Sequence, residues 1–497
     1  MLERSSGFSG YGRNTIRFGL LFIAFFIVFL LNRTLILNHF YYYGAYLLDS
    51  GLLADLFYHN TFSPERAPIL GGGEYNGNHF SPLLNLVNIV SYIVPVDFIA
   101  YYAIFQGLVY ATLTVAIFLV FLKFYQLTDL FSLVLAFVAS ISFSFNGVVI
   151  SCIGYPHFEA LTSGLAILFF VFYFKRQMIH ATLFFVLCLS VREDSGFHLF
   201  GILLTLFIFN VLHGKTMREQ QDLVMYSLAS FFYSVAALAM QKFYYKAGGT
   251  FKQVYMDGHD DFSWLTWGHV VSRLEKYAVT LEYIWVPLLI LVVWSFFSRK
   301  PILLLGFLAQ IPWFLLHVFS TGGISELSTY RLFPFIIALA WPFIVVAKDF
   351  ENGLERGVGK VVLSGAIILF SLSFYLHVHD AAGAVSFAKQ LLPKDYSVEK
   401  YAILRDKFLR GDFGASILVD HSVASLEPRA FKHWQVLGNQ KEGQRVDLFF
   451  HWKDNHFQGD QIMAEVLKQD LRYHYLIDDV NIFIFSRVEL PIGAVSK

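Results

Sequence analysis

Asp, Glu, His and Arg crowd into four short stretches of an otherwise apolar chain: Asp49 to Asp55 (DSGLLAD), His79 to Pro82 (HFSP), Tyr155 to Glu159 (YPHFE) and Arg192 to Asp194 (RED). Ionisable groups beside apolar runs are candidates for a site, because burying them unpaired costs several kcal/mol. The residue types define the available chemistry. A carboxylate such as Asp49 can accept a proton, a histidine can orient it, and the planar fork of an arginine suits the oxygens of a phosphate. Each stretch also has a plain structural reading as a helix-end anchor, a buried His–Glu hydrogen bond or an Arg–carboxylate pair.

The elements that must position these residues are membrane helices. The chain is 56% hydrophobic, 18% aromatic and only 15% charged, with 55 Phe among its 497 residues, far more apolar than a soluble domain. Net charge is zero, so nothing in the bulk electrostatics attracts nucleic acid. The two cysteines, Cys152 and Cys188, lie in apolar segments without ligand spacing and read as small buried residues. At roughly 20 apolar residues per crossing, the runs predict about eleven spans: 18–37, 98–122, 130–150, 160–174, 179–191, 196–212, 223–242, 284–297, 302–320, 332–347 and 361–377. The first is too long for a signal peptide and is read as retained.

Loop charge gives a sidedness. With a cytoplasmic N-terminus, the inside turns hold Lys123, Lys175 and Arg176, Lys215 and Arg218, Arg299 and Lys300, then Lys348, Arg356 and Lys360. The first outer loop, 38–97, contains Arg66 as its sole Lys or Arg beyond the span end, against five acids. All four polar stretches then fall on the extracytoplasmic side, which favours a shared cavity. Leu83 to Pro95 is too short to cross and reads as an interfacial or re-entrant helix opened by Pro82. Gly71 to Gly77 (GGGEYNG) is a turn-rich loop without the strand or Lys of a phosphate loop, and the echo at Gly214-Lys215-Thr216 fails because Phe209 stands where its first glycine belongs.

The domain organisation follows. Residues 1–379 form a multi-pass membrane domain. Residues 380–497 are mixed polar and charged, enough for a small extracytoplasmic α/β or α+β domain, with strands at Ser416 to Asp420 and within Tyr473 to Ser486 and a helix at Val398 to Phe408. Its histidines His451, His456 and His474 read as solvated surface. The expected fold class is therefore an all-α polytopic membrane protein with this small appended domain.

The run LLDSGLLAD (Leu47 to Asp55), NHFSP (Asn78 to Pro82), PHFE (Pro156 to Glu159) and VREDSG (Val191 to Gly196) resemble, in order and spacing, the motifs of the membrane proteins grouped as domain of unknown function 2079. Weaker likeness occurs at Thr329-Tyr330-Arg331 and at Leu392 to Val398. Asp55 departs, standing about where that family has Gln. That family in turn resembles the C-type (GT-C) integral-membrane glycosyltransferases.

The resemblance implies transfer of a sugar from a polyprenyl-phosphate-linked donor to a glycan, lipid or protein acceptor, at the outer face of a prokaryotic cytoplasmic membrane. On that reading Asp49 is the general base, with Asp55 and His79 beside it. Arg192 holds the donor phosphate, with Arg331 and Tyr330 as further candidates. His157 and Glu159 bind acceptor or a divalent cation, and Glu193 and Asp194 hold Arg192 in place. A transporter or lipid-handling protein without bond chemistry is the alternative, and a scaffold presenting the C-terminal domain would leave the polar stretches unexplained.

Overall fold

The structure is a computed structural model that describes residues 10–44, 48–58, 75–77, 79–125, 127, 129–245, 255–256, 259, 261–321, 326–349, 356–404, 417–426, 446–453, 458–477 and 482–488. The chain divides into two compact units. The first comprises residues 1–30, 79–81 and 107–387; the second comprises 31–78, 82–106 and 388–497.

Helices dominate the chain up to residue 404. They are α1 (Gly10–Asn38), α2 (Leu48–Tyr58), α3 (Pro82–Ser91), α4 (Phe98–Phe124), α5 (Leu130–Ser144), α6 (Gly147–Ile153), α7 (Ala160–Phe174), α8 (Met178–Val191), α9 (Ser195–Leu212), α10 (Gln221–Phe243), α11 (Trp267–Thr280), α12 (Glu282–Ser298), α13 (Leu305–Leu308), α14 (Ile311–Val318), α15 (Phe333–Asp349), α16 (Arg356–Val378), α17 (Ala381–Gln390) and α18 (Val398–Leu404).

Among the described residues, six helices are long and apolar enough to cross a membrane, and up to nine if each bent pair is one span. The protein is a helical integral membrane protein. Reaching eleven requires α7 and α8, of 15 and 14 residues, to cross as well.

Three expected features are corrected. The run 130–150 is not one straight span: it bends by 46° between α5 and α6, where the Asn146 side chain accepts from the N–H groups of Val148 and Val149 and restarts the helix. The run 302–320 bends by 41°, with Pro312 in the first turn of α14. The run at 284–297 belongs to α12, which turns by 85° from a preceding helix, α11, that was not expected.

Within the first unit α7 is the central helix, packed on α8 and α15. Its residues from Ala160 to Val171 are buried apart from Leu161, and a helix apolar on every side belongs inside a bundle. Its few polar groups are satisfied locally. Ser163 Oγ donates to the Phe333 carbonyl at 2.6 Å, and the hydroxyls of Thr162 and Ser195 lie 3.1 Å apart. Next to it α9 and α10 approach closely, because a Cβ on Gly196 would lie 2.3 Å from the Ser230 carbonyl oxygen.

In the second unit, α3 begins at Pro82 and packs on α2. A four-stranded sheet in order β1-β2-β4-β3 follows: β1 (Ile417–Val419) is parallel to β2 (Leu448–Trp452), and the β2–β4 and β4–β3 pairs, β3 being Tyr473–Ile477 and β4 Ile482–Ser486, are antiparallel. Helix α20 (Gln458–Asp470), numbered after α19 (His421–Ala424), packs Ala464 and Leu467 with Leu418, Phe449 and Phe485 in its core. The expected strands β1, β3 and β4 and helix α18 are present. His451 is not solvated surface as expected: it is 5% exposed and lies 3.0 Å from Asp420, whose carboxylate caps α19 and accepts from the Trp452 N–H. His456 lies outside the described residues.

Candidate functional site

The polar cluster of the first unit is assembled at helix ends. Glu159 stands at the start of α7, preceded by the Tyr155 to Phe158 segment that links it to α6. Helix α8 ends at Val191, and Arg192 follows in an extended conformation, φ −160° and ψ 160°. Glu193 and Asp194 then turn the chain into α9. The segment His79 to Ser81 is fastened alongside, with Ser81 Oγ donating to the Val191 carbonyl at 2.7 Å. Thr329 to Leu332 form a short 3-10 turn before α15, fixed by Trp313 Nε1 donating to the Arg331 carbonyl at 2.9 Å and by Cys152 Sγ near the Thr329 carbonyl at 3.4 Å. Thr329 has φ +52°, a left-handed conformation unusual for a β-branched residue, which costs on the order of 1–3 kcal/mol.

Arg192 is the hub. Its Nη1 donates to Glu159 Oε1 at 2.5 Å and its Nε to Glu193 Oε1 at 3.3 Å, while Asp194 Oδ1 lies 3.5 Å from Nε. His157 Nδ1 reaches Glu159 at 3.3 Å, and His79 Nδ1 reaches Glu193 Oε1 at 2.9 Å. One guanidinium therefore faces three carboxylates, Glu159 at Nη1 and both Glu193 and Asp194 at Nε. Its Nη2 makes no hydrogen bond among the described residues and remains available as a donor.

The electrostatics sort these acids. Burial pushes the Glu159 carboxyl up, but His157 and Arg192 outweigh it and hold it well below the ordinary range. Glu193 is likewise held low against burial, by Arg192 and His79. Asp194 moves the other way: burial, with Glu193 and Glu159 nearby, outweighs Arg192 and raises it to about 6. Burial opposes charge on Arg192 as well, yet Asp194, Glu193 and Glu159 keep it firmly protonated. Four buried atoms of this cluster, His157 Nε2, Glu159 Oε2, Glu193 Oε2 and Asp194 Oδ1, make no hydrogen bond among the described residues, which marks the cluster as polar surface without a full set of partners.

An aromatic stack borders the cluster. The rings of His157 and Tyr330 are parallel within 7° at 4.0 Å, and Tyr155 stacks on His157 at 5.1 Å. The Arg331 guanidinium lies over the Tyr330 ring at 4.7 Å, with no ion pair to a carboxylate among the described residues. Tyr255 belongs to the same neighbourhood: burial pushes its hydroxyl up to about 12, with smaller effects from Arg192, Asp194 and Arg331. Nothing in its local sequence singled Tyr255 out, and Tyr155 was legible only as part of its motif.

The structure thus brings together His79, His157, Glu159, Arg192, Glu193, Asp194, Tyr330 and Arg331. Asp49 and Asp55 belong to α2 of the second unit; Asp55 is 6% exposed, and the Asp49 side chain lies outside the described residues. Among the described residues no three His, Cys, Asp or Glu are placed to share one metal ion, so the divalent cation left open by the sequence finds no ligand set there. No known protein family and no curated protein matches the sequence. The family resemblance therefore rests on its motifs.

Proposed function

We propose that this chain is a membrane glycosyltransferase that moves a sugar from a polyprenyl-phosphate-linked donor to an acceptor hydroxyl on the extracytoplasmic face. The observation that carries the reading is the assembly of HFSP, PHFE, RED and Tyr330-Arg331 into one charged cluster at the ends of apolar helices. A lipid-linked donor presents its phosphate at that depth, where the tail stays in the bilayer and the sugar reaches water. In the proposed step a carboxylate, assigned to Asp49, takes the acceptor hydroxyl proton. The acceptor oxygen forms the new bond to the sugar's anomeric carbon, and the bond from that carbon to the phosphate oxygen breaks. The electron pair leaves with polyprenyl phosphate.

The geometry changes the weighting of the two arginines. Arg192 already faces three carboxylates and offers only Nη2, whereas Arg331 has no carboxylate partner among the described residues. We assign Arg331 as the main phosphate contact, with Arg192 Nη2 as the second. Asp194, raised to about 6 and 3.5 Å from Arg192 Nε, is the acid of the cluster that we assign to proton exchange during transfer.

The transporter alternative is favoured by one observation, the three bent helix pairs, since broken helices are common in transporter cores. A pair of variants tests the enzyme reading. Asp49→Asn removes the base and should lower transfer by about 10²–10⁴-fold with donor binding retained. Arg331→Gln should weaken donor binding by about tenfold or more, the equivalent of one charge-assisted hydrogen bond. Full transfer by folded Asp49→Asn removes that residue as the base, and unchanged donor binding by Arg331→Gln removes the phosphate assignment.

A further inference from the structure

We infer that the C-terminal domain is a positioning element for transfer: the Asp420 carboxylate holds α19 and the end of β2 against the chain from Gly44 to Gly51, and so fixes the backbone that carries Asp49. The inference rests on the assignment of Asp49 as base. It concerns the second unit alone, to which residues 31–78 and 388–497 both belong.

Asp49 is the second residue of α2, and every residue of that helix from Ser50 to Phe57 is buried. A helix enclosed on all sides takes its place from its neighbours, here α3 and α19. Two glycines bracket Asp49, and each is required by a contact with the C-terminal domain. At Gly51 a Cβ would run into the carbonyl oxygen and Cα of Ser425, just past the end of α19. Those are backbone atoms and cannot swing away. At Gly44 φ is +57°, a left-handed conformation that favours glycine, and a Cβ would enter the Trp452 indole. The Gly44 carbonyl also accepts a hydrogen bond from Ser422 Oγ. Helix α19 and Trp452 therefore hold the stretch on both sides of Asp49.

One carboxylate ties these two holds together. Asp420 is fully buried; its Oδ1 accepts from the Val423 N–H at 2.8 Å, opening α19, and its Oδ2 accepts from the Trp452 N–H at 2.6 Å and lies 3.0 Å from His451 Nδ1. A buried carboxylate is costly unless hydrogen bonds satisfy it. Here the bonds come from the two elements that touch the Asp49 stretch, so loss of the carboxylate loosens both at once. Tyr401 supports the same wall, with its ring parallel to Trp452 within 7° and its hydroxyl donating to the Tyr41 carbonyl at 3.0 Å. A misplacement of about 1 Å at a reacting group can cost on the order of 10²-fold in rate, so a small shift of α2 is enough to slow transfer.

The test uses the full chain in nanodiscs. Both native cysteines are buried, so a nitroxide can be directed to Asp49→Cys. The label should be immobilised, and adding Asp420→Asn or Ser422→Ala should shorten its rotational correlation time several-fold. Without the label, the same two variants should lower kcat for transfer from a radiolabelled polyprenyl-phosphate sugar to a cell-envelope acceptor extract by about ten- to a hundredfold, with the donor KM unchanged. Ser422→Ala removes a single hydroxyl and keeps the test decisive if Asp420→Asn does not fold. Combined with Asp49→Asn, neither variant should lower transfer further, because each acts through Asp49, whereas a general folding defect lowers transfer in both backgrounds. An unchanged label spectrum, an unchanged kcat, or a loss repeated in the Asp49→Asn background would overturn the positioning role. Full transfer by Asp49→Asn alone would instead remove the base assignment, and the inference with it, whatever the label shows.

Discussion

At the scale of single residues, the acids around Arg192 carry opposite pH signatures. Glu159 has a folded pKa below its ordinary value, so its stabilising contribution is present above pH 4.5 and is lost as pH falls through the folded value. Glu159→Gln should cost about 3 kcal/mol, because it leaves the buried Arg192 and His157 with one carboxylate fewer, and a lowered melting temperature in detergent at pH 7.5 would register it. Asp194 is the reverse. Its folded pKa is raised from 3.8 to about 6, so its contribution is fully present below 3.8 and lost as pH rises through 6. Asp194→Asn should therefore raise the melting temperature at pH 7.5 and give no gain at pH 3.5, while lowering activity. A variant that melts below wild type at pH 7.5 would show that the Asp194 carboxylate is structural. A site that keeps such a group at the expense of stability is behaving as functional sites do.

At the scale of elements, close approach of α9 and α10 sets where the Arg192 to Asp194 turn can lie. A Cβ on Gly196 would meet the Ser230 carbonyl oxygen at 2.3 Å and Ser234 Oγ at 2.5 Å. The first is backbone and cannot swing away. Gly196→Ala should force α10 off α9, destabilise by about 1–3 kcal/mol and reduce activity by shifting Asp194, two residues earlier. Ser234→Ala, which removes only the bond accepted from the Phe197 N–H, should cost about 1 kcal/mol and leave activity near wild type. A thermal melt and an activity assay on the pair check this, and equal effects would contradict the packing account.

Element ends were the legible part of the sequence, since HFSP, PHFE and RED are local strings that interrupt apolar runs. The bend at Asn146 was hidden because the residues on both sides continue the same apolar composition. Helix α11 is amphipathic, so a search for apolar spans passed over it. Strand β2 was missed because all five of its residues are buried, which erases the alternation that marks a strand. The His157–Tyr330 stack joins residues far apart in the chain, and no local spacing encodes it.

At the scale of the whole molecule, sidedness decides whether the cluster can meet a donor outside the cytoplasm. The count matters less than its parity. Six crossings would return the chain after Asp380 to the side of its N-terminus, whereas counting each bent pair as one crossing, with or without the pair α7 and α8, gives an odd number and puts it opposite, which is the arrangement we propose. Cysteine labelling at Asp380→Cys should occur from outside in intact cells, and labelling from the cytoplasmic side alone would contradict the assignment. The central claim is that the cluster serves bond transfer and not passage. Its most direct test is reconstitution of the purified protein in liposomes containing a polyprenyl-phosphate donor labelled in its sugar and in its phosphate, together with a cell-envelope acceptor extract. The account predicts that the sugar label moves to the acceptor while the phosphate label is released as polyprenyl phosphate. Recovery of the doubly labelled donor intact, redistributed across the bilayer with no new glycosidic bond, would contradict it.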